Sequence, residues 1–217
     1  MIDLSEEFVL PGMIDSHVHL RGEWNPNVRL EGATLEDGDI AYNAAENARK
    51  TLMAGFTAVQ DVGGPKTIFA LRRAINAGKV PGPHIRASGP AISATGGHGD
   101  AHGYREDILR LVHGDTICDG PADCRRAVRA AVKSGADVIK ITATGGVLSN
   151  TNAGTEQQFF DDELVAIVLT AKKMGRKVTA HAHGKQGIEA ALKARPSDVR
   201  CCRHIMPRAF VPARTTR

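Results

Sequence analysis

The sequence predicts an α/β protein with a parallel sheet, and two observations carry that prediction. β-rich runs alternate with amphipathic helical stretches through residues 11–194, and the helices close on glycines such as Gly55 and Gly78. Such alternation builds βαβ units, whose right-handed crossovers narrow the architecture to a barrel or a doubly wound sheet.

The first strand is expected within residues 11–20, where the turn signal Pro11-Gly12 feeds a short apolar run. Residues 21–38 are polar and turn-rich, and helical spacing follows over 40–54. A second strand is read at 57–62, an amphipathic helix at 67–77 and a third strand at 84–88. Residues 89–120 then form a connection rich in Gly, Ser, Thr and His. It is far longer than the usual 2 to 6 residues, as functional loops often are. Helix 122–133, strand 136–142, helix 161–174 with acidic residues in its first turn, strand 177–182 and helix 185–194 complete about five βα units. Beyond Arg195 the alternation stops: prolines fall at 196, 207 and 212, and Cys201 adjoins Cys202. Residues 195–217 are either a disordered basic extension or the product of a lost reading frame.

Composition bounds the function. The 217 residues can bury one substantial core but fall short of the roughly 250 of a complete eight-fold barrel. Hydrophobic content of 42% and charged content of 24% suit a soluble globular protein, and no apolar run approaches the roughly 18 residues of a membrane span. Acidic residues stand where a secretory leader would be basic, so a cytoplasmic location is expected. The four cysteines suggest neither a zinc-type double pair nor a disulfide framework, and reduced thiols are expected. Residues 195–217 hold six arginines against Asp198, a local +5 in a total of +4, so the preceding residues carry about −1. The basicity belongs to the tail and gives no support to nucleic-acid binding.

The chemistry gathers at strand ends. His17 and His19 lie two apart in the first strand and share a face, so both imidazoles can reach one point. Neutral imidazole suits Zn, Ni, Fe or Mn, although an isolated His-x-His is as readily a pair of half-buried side chains. Val178-Thr-Ala-His-Ala-His-Gly184 repeats the pattern with His181 and His183. Lys140 lies between them within Ala-Asp-Val-Ile-Lys-Ile-Thr, where an unpaired ammonium is costly. It is open to three readings: a surface lysine at a strand end, a carbamylated metal bridge, or an amine of lowered pKa forming a Schiff base. Two histidine pairs and Lys140 at one level converge on a barrel mouth and favour a metal site. In Thr95-Gly-Gly-His-Gly-Asp100, Gly97 lets backbone approach a ligand and His98 can offer a proton or a hydrogen bond. The lysine and Ser/Thr of a P-loop are absent. A second run, Thr144-Gly-Gly-Val-Leu-Ser149, brings Gly145 to the same mouth. His102, His113 and Asp61 are read as loop or core residues.

These residues resemble the metal-dependent amidohydrolase superfamily, within it the branch of prolidase-like and Xaa-Arg/Lys carboxypeptidase-like enzymes. The carriers are Pro-Gly-Met-Ile-Asp-Ser-His-Val-His at 11–19, Gly-Phe-Thr-Ala-Val-Gln-Asp-Val-Gly-Gly at 55–64 and Ala-Ser-Gly-Pro-Ala-Ile-Ser-Ala-Thr-Gly-Gly-His-Gly-Asp at 87–100. Ala-Asp-Val-Ile-Lys-Ile at 136–141, the Gly-rich run after it, and Ala-His-Ala-His-Gly at 180–184 extend the likeness over residues 9–194.

The resemblance implies a (β/α)8 TIM barrel with two divalent metals, usually zinc. His17 and His19 would hold one, His181 the other, and carboxylated Lys140 would bridge them. His98 and His183 would contact substrate or the developing oxyanion, with Gly97 and Gly145 beside it. The implied reaction is hydrolysis of the amide bond to a C-terminal amino acid in dipeptides or N-acyl amino acids. The family's sixth-strand histidine and eighth-strand aspartate have no counterpart here, and His204 lacks the required Glu-His context. Residues 1–10 would be the last strand of a small β-sandwich, 11–194 an incomplete barrel, and 195–217 the tail. The open sheet edge would invite pairing with another chain, a homo-oligomer among the options. Two other readings stay open: an inactive fragment that needs a partner, and a Schiff-base lyase using Lys140.

Overall fold

The computed structural model describes residues 4–23, 25–112, 114–147, 154–194 and 198–200. Its strands are β1 (Met13–Val18), β2 (Phe56–Asp61), β3 (His84–Ala87), β4 (Val138–Thr142), β5 (Lys177–His181) and β6 (Asp198–Arg200). Between them run α1 (Val28–Thr34), α2 (Asp37–Met53), α3 (Thr67–Asn76), α4 (Glu106–Val112), α5 (Gly120–Ser134), α6 (Asp161–Lys173) and α7 (Lys185–Lys193). The strands pair in the orders β1-β2-β3 and β4-β5-β6, every pairing parallel. Backbone bonds carry the first sheet into the second: Asp137 N–H donates to Ala87 O at 2.8 Å, and Ile92 N–H to Lys140 O at 2.8 Å. The strands therefore follow chain order around one wall, as in a (β/α)8 barrel carried part of the way round.

Local chemistry explains the helix ends. Glu36 N–H donates to the Asp39 carboxylate at 3.0 Å to start α2, and Phe160 N–H to Glu163 at 2.7 Å to start α6. Three acidic residues in the first turn of α6 and two lysines in its last turn complement the helix dipole. Pro121 sits in the first turn of α5, and Gly135 ends that helix at φ +111°. β4 is buried on both faces, as a strand between helices and a barrel interior must be. Ile139 and Ile141 join the core with Leu164, Ile167 and Val128, while Lys140 and Thr142 point the other way, into a cavity.

The structure departs from the sequence reading at four places. α1 and α4 form inside segments expected to be connections, because seven residues are too few to show a helical period. Residues 4–10 take no strand, and Phe8, Val9 and Leu10 are exposed. Asp198–Arg200 pair with β5 within the tail, since the open backbone groups of β5 accept a third strand whatever its side chains. Cys118 and Cys124 form a disulfide, correcting the expectation of reduced thiols. The chain folds back as it enters α5 and brings their Cα atoms to 5.0 Å, which a spacing of six does not reveal. His113, Ser149, Cys201, Cys202 and His204 lie outside the described residues. Among those described, no helix is long and apolar enough to cross a membrane.

Asp61, at the end of β2, is fully buried and ties that strand to β1. Its Oδ2 accepts the Leu20 N–H at 2.7 Å, just past His19. Burial pushes its carboxyl up to about 6, against the weaker opposing pull of backbone amides. Because its proton is held more tightly in the folded state, the stability Asp61 contributes is fully present below about pH 4. It is lost as pH rises towards and through about 6. Denaturant melts of wild type and D61N at pH 4 and pH 7 should therefore show the difference moving by up to about 3 kcal/mol in favour of Asn at the higher pH. An unchanged difference would contradict this account. Leu164→Ala, in the fully buried face of α6, should cost about 2 to 5 kcal/mol in the same assay.

Candidate metal centre

Parallel strands put their C-terminal ends on one rim, and there a cavity of ≈ 330 Å³ opens. His17 and His19 reach it from β1 and the residue just past it, Val62 and Gly63 from the end of β2, and Ala91 from the segment after β3. Lys140 and Thr142 enter from β4, and His181 and His183 from β5 and the turn beyond. His98 and Gly99 descend from the long connection, and Gly146 and Val147 close the wall after β4. The six histidine and lysine residues singled out from the sequence thus face one space. Gly97 and Gly145 do not line it; Gly99 and Gly146, their near neighbours, do.

The rings meet in pairs. The centroids of His17 and His19 are 5.3 Å apart, edge to face, and those of His181 and His183 are 4.7 Å apart in the same manner. His98 stacks on His181 at 4.3 Å and 23°. Lys140, only 5% exposed, stands among them. Burial, then the Lys140 charge, lowers the pKa of His19. Burial first, then neighbouring histidines and Lys140, lowers that of His98 and takes His181 down to about 3. These imidazoles are consequently neutral at pH 7, the form that ligates a metal. Among the described residues no three His, Cys, Asp or Glu side chains converge closely enough to hold an ion by themselves. The donors fit divalent metals in kind, two imidazoles on one side and His181 on the other, with Lys140 between.

Polar residues that no motif announced fix the loops. Ser93 Oγ accepts the Gly99 N–H at 3.1 Å and the Thr142 hydroxyl at 2.9 Å, joining the loop of His98 to β4. Thr144 Oγ1 accepts the His183 N–H at 2.9 Å, and Gln158 Oε1 the His98 N–H at 2.8 Å. His102, read as a loop residue, pairs its Nε2 with Gly97 O at 2.7 Å. Ser, Thr and Gln are common in every loop, so nothing in the sequence marks these.

Ochratoxinase of Aspergillus niger is 34% identical over 200 residues, covering 86% of this chain and 41% of the relative. The chain therefore spans about two-fifths of the length of the curated relatives it matches. Among solved structures, a Xaa-Pro dipeptidase with methionine bound in its active site superposes with a TM-score of 0.79 at 38% identity, over 87% of this chain and 47% of that one. The crystal structure of A. niger ochratoxinase superposes at 0.77 with 33% identity, over 87% and 46%. Molinate hydrolase, at 19% identity and a TM-score of 0.72, shares the fold. The sequence model of the amidohydrolase family runs from residue 8 to residue 206, through every strand end that meets at the cavity; the chain belongs to that family, whose members generally use divalent metals.

Proposed function

We propose that this chain carries the metal centre of a hydrolase that cleaves the amide bond to a C-terminal amino acid in dipeptides or N-acyl amino acids. One observation carries the reading: two histidine pairs and a buried lysine, from β1, β4 and β5 and the residues just past them, open into a single cavity. The likeness to a Xaa-Pro dipeptidase and to ochratoxinase supports a substrate of this kind.

His17 and His19 would hold one divalent ion and His181 a second, with Lys140 bridging as a carbamate and zinc as the ion. When bound, the pair supplies a water of lowered pKa and polarises the amide carbonyl. The chain's own groups do the rest. Carbamylation would join the Lys140 Nζ, as its neutral amine, to carbon dioxide with loss of one proton; counted from the ammonium two protons leave, and a buried cation becomes an anion. That reversal relieves the three imidazoles whose protonation the Lys140 charge now opposes. His98, stacked on His181, and His183, at the cavity wall, would donate to the carbonyl oxygen as charge develops there. Val62, Ala91 and Val147 give the apolar surface against which a substrate side chain rests.

Metal analysis of the purified chain tests the reading. After dialysis against zinc it should retain about two ions per chain, and zinc affinity should fall on the order of 100-fold in H181A and in K140A. Retention of less than about one ion would overturn it. The zinc-loaded chain should also release the C-terminal residue from dipeptides or N-acyl amino acids until a chelator is added. Chelator-insensitive turnover, with borohydride trapping a carbonyl substrate on Lys140, would assign the site to Schiff-base chemistry instead.

A further inference from the structure

Behind the cavity wall, one side chain ties together the two Gly-rich loops. Residues 156–158 run alongside 143–145: Gly145 N–H donates to Glu156 O at 3.1 Å and Gln158 N–H to Ala143 O at 3.0 Å. From this anchored backbone the Gln158 side chain crosses to the other loop and accepts the His98 N–H at 2.8 Å. A backbone amide can only donate, so the carboxamide oxygen must face His98 and its nitrogen must face the Gly145 side. A Cβ on Gly145 would stand 3.2 Å from that nitrogen, which is buried and makes no hydrogen bond among the described residues. Burying an unbonded amide nitrogen lowers stability, a cost set against the bond that the oxygen of the same side chain makes to His98.

What the bond secures is the placement of one ring. The loop of His98 carries Gly96, Gly97 and Gly99, with Gly96 at φ +73°, and has little conformational preference of its own. The imidazole stacks on His181 at 4.3 Å. Gly146 also lies against it, where a Cβ would come within 2.5 Å of the ring. The backbone at His98 helps set where the ring sits against these neighbours, and Gln158 holds that backbone.

We propose that Gln158 is a positioning residue that sets the His98 imidazole against His181 at the mouth of the cavity. As a role in catalysis this rests on the hydrolase reading above; as a property of the folded chain it is measured without metal or substrate. In the metal-free 217-residue chain, the His98 amide of Gln158→Met should exchange with solvent about tenfold faster than in wild type, for want of its acceptor. The His98 ring protons, shifted by the stacked His181 ring, should move towards their values in an unstructured peptide. Gln158→Glu keeps an acceptor oxygen and should restore both signals. Gln158→Ala, which removes the acceptor with less bulk, should behave as the Met variant and serves if that variant does not fold. An unchanged amide and ring in the Met or Ala variant, or a Glu variant that matches them, would overturn the proposal. Failure to retain zinc would instead count against the hydrolase reading alone.

Discussion

Lys140 buried on the inner face of β4 is the constraint on which the rest of the site depends. An ammonium taken from water into a wall of histidine, threonine and small apolar residues is costly unless the surroundings compensate. Around it, burial first and the Lys140 charge after it drive three imidazoles towards their neutral form. The strand itself can bear the cost because its opposite face is fully packed, Ile139 and Ile141 within the core beside α5. A strand with one face in solvent would turn the lysine outward. Packing on one face of β4 thus holds Lys140 among neutral imidazoles on the other, an arrangement suited to neutral nitrogen ligands and to chemical modification of the amine.

The loops above the cavity are fixed by hydrogen bonds rather than by apolar burial. Ser93 bonds both the His98 loop and Thr142, and the chain around it is tied in turn to the turn that carries the Cys118–Cys124 disulfide: Cys118 N–H donates to Ser93 O at 2.9 Å. Glu163, 4% exposed, accepts from Gly120 at 2.5 Å and from Phe160, and so holds the start of α5 to the start of α6 beneath these loops. Glycines at 97, 99, 145 and 146 let the strands of backbone approach closely enough for such bonds to form. A Gly-rich loop that would be loose alone is therefore held at several points at once.

The sequence by itself determined the strands, because a β run ending in glycine or histidine needs only local propensity and a period of two to be recognised. β2 to β5 lie within two residues of where that pattern places them; His17 and His181 fall at or next to the C-terminal ends of β1 and β5, His19 and His183 just beyond, and Lys140 in the middle of β4. Parallel pairing then carries those ends to one rim without further information. The family likeness was legible for the same reason, since its motifs are these strand ends and their turns. Only the tertiary structure decided what depends on atoms distant in sequence. α1 and α4 are too short to announce themselves, and the disulfide depends on how the chain enters α5. Gly99 and Gly146 rather than Gly97 and Gly145 meet the cavity because a glycine's loop neighbours, not its motif, decide which way its backbone faces. Gln158 is the clearest case: 60 residues separate it from His98, and only folding makes it the acceptor for that residue's amide.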